Sequence, residues 1–308
     1  MTGTAPDADL DRALGDFSGL RPRLFGIAYR MLGTVADAED IVQDAWVKWQ
    51  SYPDRAAVQD TTAFLVTMTT RLAINATRTA RVRRETYLGP WLPEPVDTGA
   101  DPSLGAERAA ALETAVLVVL EKMTPTERAA FVLREAFDYP YGKIAEVLEV
   151  KEATARKLVS RARHGIASER HTPVDDEQQR RLLEAFLDAA RAGDLDDLEA
   201  LFATEVASYS DGGGKPVRAS RVPVVGRDRV AKYVAAFASH FWTGVTLDRV
   251  EANGRASVLI SRDGEAVAWL TVGAADSEHI DRVYWILNPD KLSRLAQSVG
   301  LTGGPAAQ

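Results

Sequence analysis

The chain has 308 residues, 26% of them charged, a formal net charge of −7 at neutral pH and no cysteine. This length allows two or three domains with apolar cores of their own, and the absence of cysteine excludes disulfides and thiolate metal sites. No stretch approaches about 18 uninterrupted apolar residues, and the acidic N-terminus lacks the apolar segment of a signal peptide. We therefore expect a cytoplasmic protein without membrane contact.

Positive charge is concentrated in two short stretches of this acidic chain. Residues 71–84 contain five arginines and no acid, and residues 156–163 contain four cations and no acid. Residues 171–308, in contrast, contain 15 cations against 20 acids. A nucleic acid would therefore meet local basic patches, and the C-terminal part of the chain would repel it.

Residues 1–88 predict a helical domain. Thr34–Gln50 begins with a sequence that resembles a capping box and continues with one apolar stripe, in which Trp46 and Trp49 are expected to serve the core. Residues 62–84 predict a second long helix that is apolar in its first half and basic in its second. This change of polarity indicates that one end lies in a core and the other against an anion.

Residues 89–105 contain four prolines and three glycines, which predicts a linker without regular structure. Trp91 and Leu92 are unusual in a spacer, because an exposed indole usually finds a surface to pack on. Two interpretations stay open for this segment. It is either a tether folded onto its own domain or a segment that binds a partner.

Residues 106–170 return to helix and contain a helix-turn-helix pattern at residues 141–166. Two short apolar-periodic segments flank a break at Glu149–Lys151, and the second segment carries cations on the faces that do not pack on the first. This arrangement is typical of helices that read the DNA major groove. Taken alone, the stretch is also compatible with an ordinary solvated helical hairpin.

After a second linker at residues 171–177, residues 178–308 predict an α+β domain. Helices are expected at about 178–191 and 194–203 and strands at 205–210 and within 244–287. Turn signals, including Asn253-Gly254, divide the last stretch into three or four antiparallel strands. Asn288 and Pro289 form a good first turn for a final helix at 289–299.

The order of three motifs resembles that of bacterial sigma factors of the sigma-70 family, of the small extracytoplasmic-function type. The motifs are a DAEDIVQDAWVKW helix at Asp37–Trp49, a helix at Phe64–Glu85 and the basic helix-turn-helix. The resemblance implies two all-α domains, region 2 and region 4. It also implies that the partners are core RNA polymerase and promoter DNA.

The resemblance assigns roles to particular side chains. The polar contacts expected with core polymerase are Asp37, Asp40, Gln43, Asp44 and Lys48. The candidates for the −10 element are Arg71, Asn75, Arg78 and Arg81, although many relatives carry aspartate where Asn75 stands. The candidates for the −35 element are Thr154, Arg156, Lys157, Ser160, Arg161 and Arg163. Glu149 occupies a turn position that the family usually gives to glycine.

The C-terminal domain resembles the SnoaL-like fold, a cone of the nuclear transport factor 2 type. Sigma factors with this extension form a group, and this chain shares with it three short motifs: WLPEPV with Trp91, Leu92 and Pro93, DGGGK with Asp211, Gly212, Gly213, Gly214 and Lys215, and NPDKL with Asn288, Pro289, Asp290 and Lys291. The resemblance implies that the extension regulates its own chain. No separate anti-sigma factor is then expected.

Each motif of the extension also has a plainer explanation. The three glycines favour positive φ in a turn, and they do not complete a phosphate-binding loop because Lys215 is followed by proline. Five aromatic side chains are expected mainly to serve the core, and a small-molecule pocket lined by them stays open; they are Tyr209, Trp242, Trp269, Tyr284 and Trp285. The scattered histidines show no metal-ligand spacing, so no cofactor and no enzymatic activity are expected.

The leading hypothesis is a promoter-specificity factor of RNA polymerase whose C-terminal domain modulates its activity. The alternative is a helix-turn-helix regulator that binds DNA without polymerase and is fused to a ligand-binding or enzymatic SnoaL-like domain. Under the alternative, the helix at Asp37–Trp49 would be only a core helix.

Overall fold

Long helices build the N-terminal part of the protein. The computed structural model describes residues 5–99, 112–169, 174–215 and 219–301, so the two predicted linkers are described only in part. Helix α1 spans Ala5–Leu32, α2 spans Val35–Gln50 and α3 spans Thr61–Glu85, with a short 3-10 turn at Arg55–Ala57. These bounds confirm the helices predicted at 34–50 and 62–84.

Side-chain caps explain where α2 and α3 begin. The Thr34 hydroxyl accepts a hydrogen bond from the backbone N–H of Asp37 (3.3 Å), and the Asp60 carboxylate accepts one from the backbone N–H of Ala63 (2.9 Å). Each cap satisfies an amide that the first helical turn leaves without a partner. The starts of both helices are therefore determined locally.

The apolar stripe of α2 faces the core. Trp49 is buried and its indole N–H donates to the carbonyl of Ala13 (3.3 Å), and the partly buried Trp46 packs on Phe17 at a centroid distance of 5.1 Å. The remaining buried members of the stripe are Val35, Ala38, Ile41, Val42 and Ala45. Both tryptophans serve the core, as predicted.

A second helical unit contains the predicted helix-turn-helix. Its described helices are α4 (Thr114–Glu121), α5 (Pro125–Glu135), α6 (Tyr141–Leu148) and α7 (Glu152–Glu169). The buried face of α7 consists of Ala155, Leu158, Val159, Ala162 and Ile166. The two helical units share one continuous apolar cluster, so in this conformation they pack on each other directly.

The third unit is an α+β domain. It contains α8 (Asp176–Ala192), α9 (Leu195–Leu201), α10 (Arg227–Ala235), the short α11 (Ala238–Phe241) and α12 (Pro289–Ser298). Its strands are β1 (Phe202–Asp211), β2 (Val224–Val225), β3 (Val245–Ala252), β4 (Arg255–Arg262), β5 (Glu265–Ala274) and β6 (Ile280–Ile286).

The strands form one sheet in the order β2-β1-β6-β5-β4-β3. Strands β3 to β6 are antiparallel neighbours along the chain, which confirms the predicted meander, and its β3–β4 turn places Asn253 at φ 56°. Strand β1 pairs with β6 in parallel, because the chain passes through α10, α11 and the other strands before it returns beside β1. The ends of β1 and β6 therefore lie next to each other.

The two faces of the sheet pack against different partners. One face packs on the domain's own helices through residues such as Phe186, Leu270 and Trp285. The other face contacts α12 and the linker, where Trp269, Leu292 and Leu92 belong to one buried cluster. The linker residue Leu92 is thus part of the packing of the third domain.

Trp242, Trp269, Tyr284 and Trp285 are buried, which agrees with the interpretation that the aromatic residues serve the core, and the five aromatic residues do not share one pocket. Side chains at successive strand positions point to opposite faces of a sheet. Trp242 and Trp285 therefore line a cavity among the helices, Tyr209 and Tyr284 line a second cavity on the opposite face, and Trp269 is fully buried. In the described parts of the chain, no helix combines the length and apolarity that crossing a membrane requires.

Candidate interaction surfaces and the linker lock

The polar residues predicted to contact polymerase lie on α2. Their members at the solvent-facing side are Asp40, Gln43, Asp44 and Lys48, all exposed. Asp37 differs from them, because its carboxylate is partly buried and accepts hydrogen bonds from Arg83 (2.7 Å) and Thr34 (2.6 Å). Val47 lies between the exposed members and is 48% exposed, which sequence reasoning missed because α2 was divided into polar and apolar faces.

The residues predicted to contact the −10 element lie along α3. Arg71, Asn75, Arg78 and Arg81 are exposed, while the opposite side of the helix buries Ala73, Thr77 and Ala80. Arg71 does not point freely into solvent. Its guanidinium donates to the carbonyl of Val147 (3.0 Å) and forms an ion pair with Glu149 (3.0 Å), both at the end of α6.

The residues predicted to contact the −35 element are all exposed on α7: Thr154, Arg156, Lys157, Ser160, Arg161 and Arg163. Three of their cations form ion pairs with carboxylates of the same unit. The pairs are Arg156 with Glu152 (2.5 Å), Arg161 with Glu127 (3.1 Å) and Arg163 with Glu135 (2.7 Å). The hydrogen bonds that Arg163 donates to the Glu135 carboxylate raise the pKa of Arg163 above its ordinary value.

The side of α7 opposite its buried face carries a different set of residues. Lys157 and Ser160 lie there, and so does the exposed His164, one turn after Ser160. Sequence reasoning missed His164 because its set of candidates on this helix ended at Arg163. The spacing of Lys157, Ser160 and His164 at steps of three and four was the available signal.

The linker residue Trp91 lies between two cations. The guanidinium carbon of Arg84 is 3.7 Å from the indole centroid, and the ammonium of Lys291 is 4.2 Å from it. Gly33, at φ 72°, lies so close that a β-carbon there would be 2.5 Å from the edge of the ring. Trp91 thus joins α12 of the third domain to the end of α3 and to the α1–α2 turn.

Asp211 is the centre of a buried polar contact at the end of β1. Its carboxylate is fully buried and accepts hydrogen bonds from the Tyr87 hydroxyl (2.5 Å), the Leu92 amide (2.9 Å), the Gly213 amide (3.1 Å) and the Lys291 ammonium (2.7 Å). We call this contact, formed by Tyr87, Leu92, Asp211, Gly213 and Lys291, the linker lock. It ties the linker to the third domain by both charge and hydrogen bonds.

Two pKa shifts follow from the burial of the linker lock. Burial lowers the pKa of Lys291, whereas the neighbouring Asp211 favours its charged form. Burial and the Asp211 carboxylate together raise the pKa of Tyr87, so the hydroxyl stays protonated and donates. Sequence reasoning missed Tyr87, because it lies outside the recognised motifs.

The DGGGK and NPDKL motifs meet at the same place. Asn288 caps α12 by accepting from the Asp290 amide (3.1 Å) and donates to the Tyr87 hydroxyl (3.1 Å). Gly213, at φ 65°, packs so closely on Asn288 that a β-carbon would lie 2.5 Å from its side-chain amide carbon. Lys215 pairs with Asp290 at 3.3 Å, and Pro289 occupies the first turn of α12. The glycines thus form a turn against α12.

The second half of the WLPEPV segment docks on both neighbouring units. The Glu94 carboxylate accepts from the amide of Val35 (2.8 Å), and burial raises its pKa. The Asn253 side chain accepts from the amide of Val96 (2.8 Å) and donates to the hydroxyl of Tyr29 (2.8 Å). The tether is thus folded onto its own chain in this conformation.

The end of α3 is also held by region 4 residues. The carboxylate of Glu121 in α4 pairs with Arg84 and with Arg128 of α5 (2.6 Å), and Arg128 donates to the carbonyl of Met31 (2.6 Å). Burial lowers the pKa of Arg84 to about 9, in the same direction as the charge of Arg128, and burial lowers the pKa of Arg128 to about 10. Both arginines remain charged at neutral pH and need Glu121 as their counter-ion.

Asp211→Asn should loosen the linker, because it leaves the buried Lys291 ammonium without its counter-ion. The free energy of unfolding of the full chain should fall by about 3–5 kcal/mol, measured by chemical denaturation with tryptophan fluorescence. Asp290→Asn is the control. The side chain of Asp290 is 67% exposed, so its ion pair with Lys215 should contribute less than about 1 kcal/mol to the free energy of unfolding. Equal losses in the two variants would contradict the linker lock.

Comparison with known proteins identifies the family of the two helical units. The family model "Sigma-70 region 2" matches residues 17–83, and "Sigma-70, region 4" matches residues 113–164. ECF RNA polymerase sigma factor SigJ of Mycobacterium tuberculosis is 40% identical over 241 residues, which cover 75% of this chain and 75% of that protein. The probable ECF RNA polymerase sigma factor SigI of the same species is 29% identical over 284 residues, covering 91% of this chain and 94% of that protein.

A solved structure extends the similarity to the third domain. The crystal structure of the M. tuberculosis extracytoplasmic function sigma factor SigJ matches with a TM-score of 0.72 at 33% identity, covering 91% of this chain and 98% of that chain. The predicted order of two all-α sigma domains followed by an α+β domain is confirmed. The chain belongs to the extracytoplasmic-function RNA polymerase sigma factors of the sigma-70 family.

Proposed function

We propose that the exposed faces of α2, α3 and α7 divide the work of a sigma factor among them. The face of α2 with Asp40, Gln43 and Asp44 binds core RNA polymerase. The basic face of α3 binds the −10 element, and the solvent side of α7 binds the −35 element. The observation that supports this division is that all three faces are polar and exposed, while the opposite side of each helix is buried.

The described conformation cannot engage both promoter elements at once. The two elements are about 25 base pairs apart, which is about 85 Å along B-form DNA. Arg71 of α3 and Glu149 of the helix-turn-helix are 3.0 Å apart. The two helical units must therefore separate before the chain reads a promoter, and we assign the described conformation to the free chain.

The polymerase face of α2 and the linker lock lie at different places, which supports self-regulation by the third domain. The lock holds the linker on the third domain, and Asp40 and Asp44 stay exposed. Core polymerase can therefore approach α2 while the chain is in the described conformation, in which the helical units pack on each other; we call this conformation closed. We propose that breaking the lock is the step that the third domain controls, in place of a separate anti-sigma factor.

We assign no catalytic activity to the third domain. Sigma factors are not enzymes, and within the third domain the buried carboxylate of Asp211 is committed to the lock. His240 is exposed and contacts Ser239 (2.7 Å), so it does not form an acid–base pair with Asp211. A location in the cytoplasm follows from the partners, because bacterial RNA polymerase and promoter DNA are found there.

The double substitution Asp40→Ala and Asp44→Ala should weaken binding to core polymerase by about tenfold or more, because charged hydrogen bonds at an interface are lost. The measurement is the affinity of the purified full chain for core polymerase, followed by promoter-dependent transcription in vitro. The assigned polymerase face is wrong if this affinity is unchanged.

Lys157→Ala is the matched control for that experiment. It should leave the affinity for core polymerase unchanged and weaken binding of the holoenzyme to promoter DNA, with a smaller slope of affinity against salt, since a phosphate contact is lost. If the unaltered chain supports no promoter-dependent initiation, the result favours the alternative, a DNA-binding regulator that acts without polymerase.

Asp211→Asn should raise promoter-dependent transcription at limiting core polymerase by about threefold or more, because it shifts the chain toward the open conformation. Asp290→Asn should leave the activity unchanged. Equal activity of both variants and the unaltered chain would remove the lock from the regulatory mechanism, whatever its contribution to stability.

A small-molecule ligand of the third domain is a second candidate regulator. A small cavity among its helices is partly open to solvent, and its walls include Ser210, Tyr233, Trp242 and Trp285. The buried indole N–H of Trp285 has no hydrogen-bond partner in the described parts of the chain. Ser210 directly precedes Asp211 on β1, so the cavity adjoins the strand end that carries the linker lock.

The chemistry of this cavity suits a small aromatic compound with one hydrogen-bond acceptor. Acetophenone at millimolar concentration should raise the melting temperature of the full chain, because binding to the folded state stabilises it. Val234→Phe fills the same cavity and should abolish the increase. An equal increase of the melting temperature in both proteins would show that the compound binds outside this cavity.

A further inference from the structure

Glu149 adopts a conformation that its side chain disfavours. It ends α6 in the left-handed region, at φ 56° and ψ 43°, and a β-carbon makes this region costly for every residue except glycine. The hydrogen bond from the Val150 amide to the Ala145 carbonyl (3.0 Å) closes the helix end in the way typical of glycine caps. The turn itself therefore does not require a glutamate.

The side chain of Glu149 has a function outside its own turn. Its carboxylate pairs with Arg71 of α3 at 3.0 Å, and the Arg71 guanidinium also donates to the carbonyls of Val147 (3.0 Å) and Glu146 (3.4 Å). These carbonyls lie at the negative end of the α6 dipole, where a cation is favoured. Arg71 thus binds the end of α6 by charge and hydrogen bonds together.

This contact is separate from the linker lock. Arg71 and Arg84 lie 13 residues apart on α3, which corresponds to about 20 Å along the helix. Arg84 contacts Trp91 and Glu121, whereas the residues that hold Arg71 belong to the helix-turn-helix alone. Helix α3 is therefore held near its middle by the helix-turn-helix, and at its C-terminal end by the linker and by Glu121 of α4.

We propose that Glu149 is a positioning residue that holds Arg71 on the end of α6 in the free chain and withholds it from the −10 element. The inference rests on the −10 role proposed for Arg71. The side chains of Arg71 and Glu149 are 45% and 74% exposed, so DNA can reach the contact and compete for the guanidinium. We call this ion pair between Arg71 and Glu149 the latch. Because exposed ion pairs are weak, the latch should lower the affinity for the −10 strand by about two- to fivefold.

The test compares Glu149→Gln with Glu146→Gln in the full chain. Glu146 is the matched control, since it is an exposed glutamate of α6 whose side chain pairs with Lys143 (3.0 Å) and not with Arg71. Affinity for a single-stranded −10 oligonucleotide should rise about two- to fivefold in Glu149→Gln, and clearly less in Glu146→Gln. An equal rise in both would reflect general loss of negative charge and would overturn the proposal.

A double-substitution cycle separates the latch from the DNA contact. In the Arg71→Gln background, Glu149→Gln should no longer change the affinity for the oligonucleotide; a rise of the same size there overturns the latch. Arg71→Gln alone should weaken the binding. If it does not, the −10 role of Arg71 fails, and this inference fails with it.

The latch is also measured without DNA. The unfolding equilibrium constants of the single and double variants should show a coupling between Arg71 and Glu149 of about two- to fivefold. Glu149→Gly should raise the melting temperature, because glycine relieves the left-handed strain, and it should bind the oligonucleotide as well as Glu149→Gln does. Zero coupling between Arg71 and Glu149 would overturn the latch even if the DNA contact is real.

Discussion

The buried carboxylate of Asp211 is the constraint on which the position of the linker depends. An ionised group without solvent is tolerated only where donors and an opposite charge surround it. Here the donors come from the linker, the turn after β1 and α12, so these segments can be in place only together. The parallel pairing of β1 with β6 brings the starts of that turn and of α12 next to each other.

The closed conformation treats the three functional faces differently. The polar face of α2 is exposed to solvent, whereas α3 is held near its middle and at its C-terminal end. On α7, Lys157 and Ser160 stay exposed, and Arg161 and Arg163 form ion pairs within their own helical unit. Under the roles proposed for these faces, the chain meets polymerase before it reads both promoter elements, and polymerase binding contributes the free energy that separates the helical units.

Local signals in the sequence predicted the local structure well. Thr34, Asn288 and the Asn253-Gly254 turn act as expected, because caps and tight turns depend on a few neighbouring residues. The burial of Trp49 followed from helical periodicity in the same way. Predictions that required knowledge of which face meets which neighbour were weaker, since the sequence left open whether the aromatic residues of the third domain also line a pocket.

The sequence by itself determined the long helices of the N-terminal part, the strands of the meander, the helix-turn-helix and, through its motifs, the family, but it did not predict α10 and α11. Only the tertiary structure decided that Trp91, Asp211 and Lys291 meet, that Asp37 pairs with Arg83 and that Arg71 is held by Glu149. These contacts join residues far apart in the chain, and no local pattern encodes them. The physical reason is that a buried charge or an indole acquires its partner from whichever segment the packing of the domains brings near.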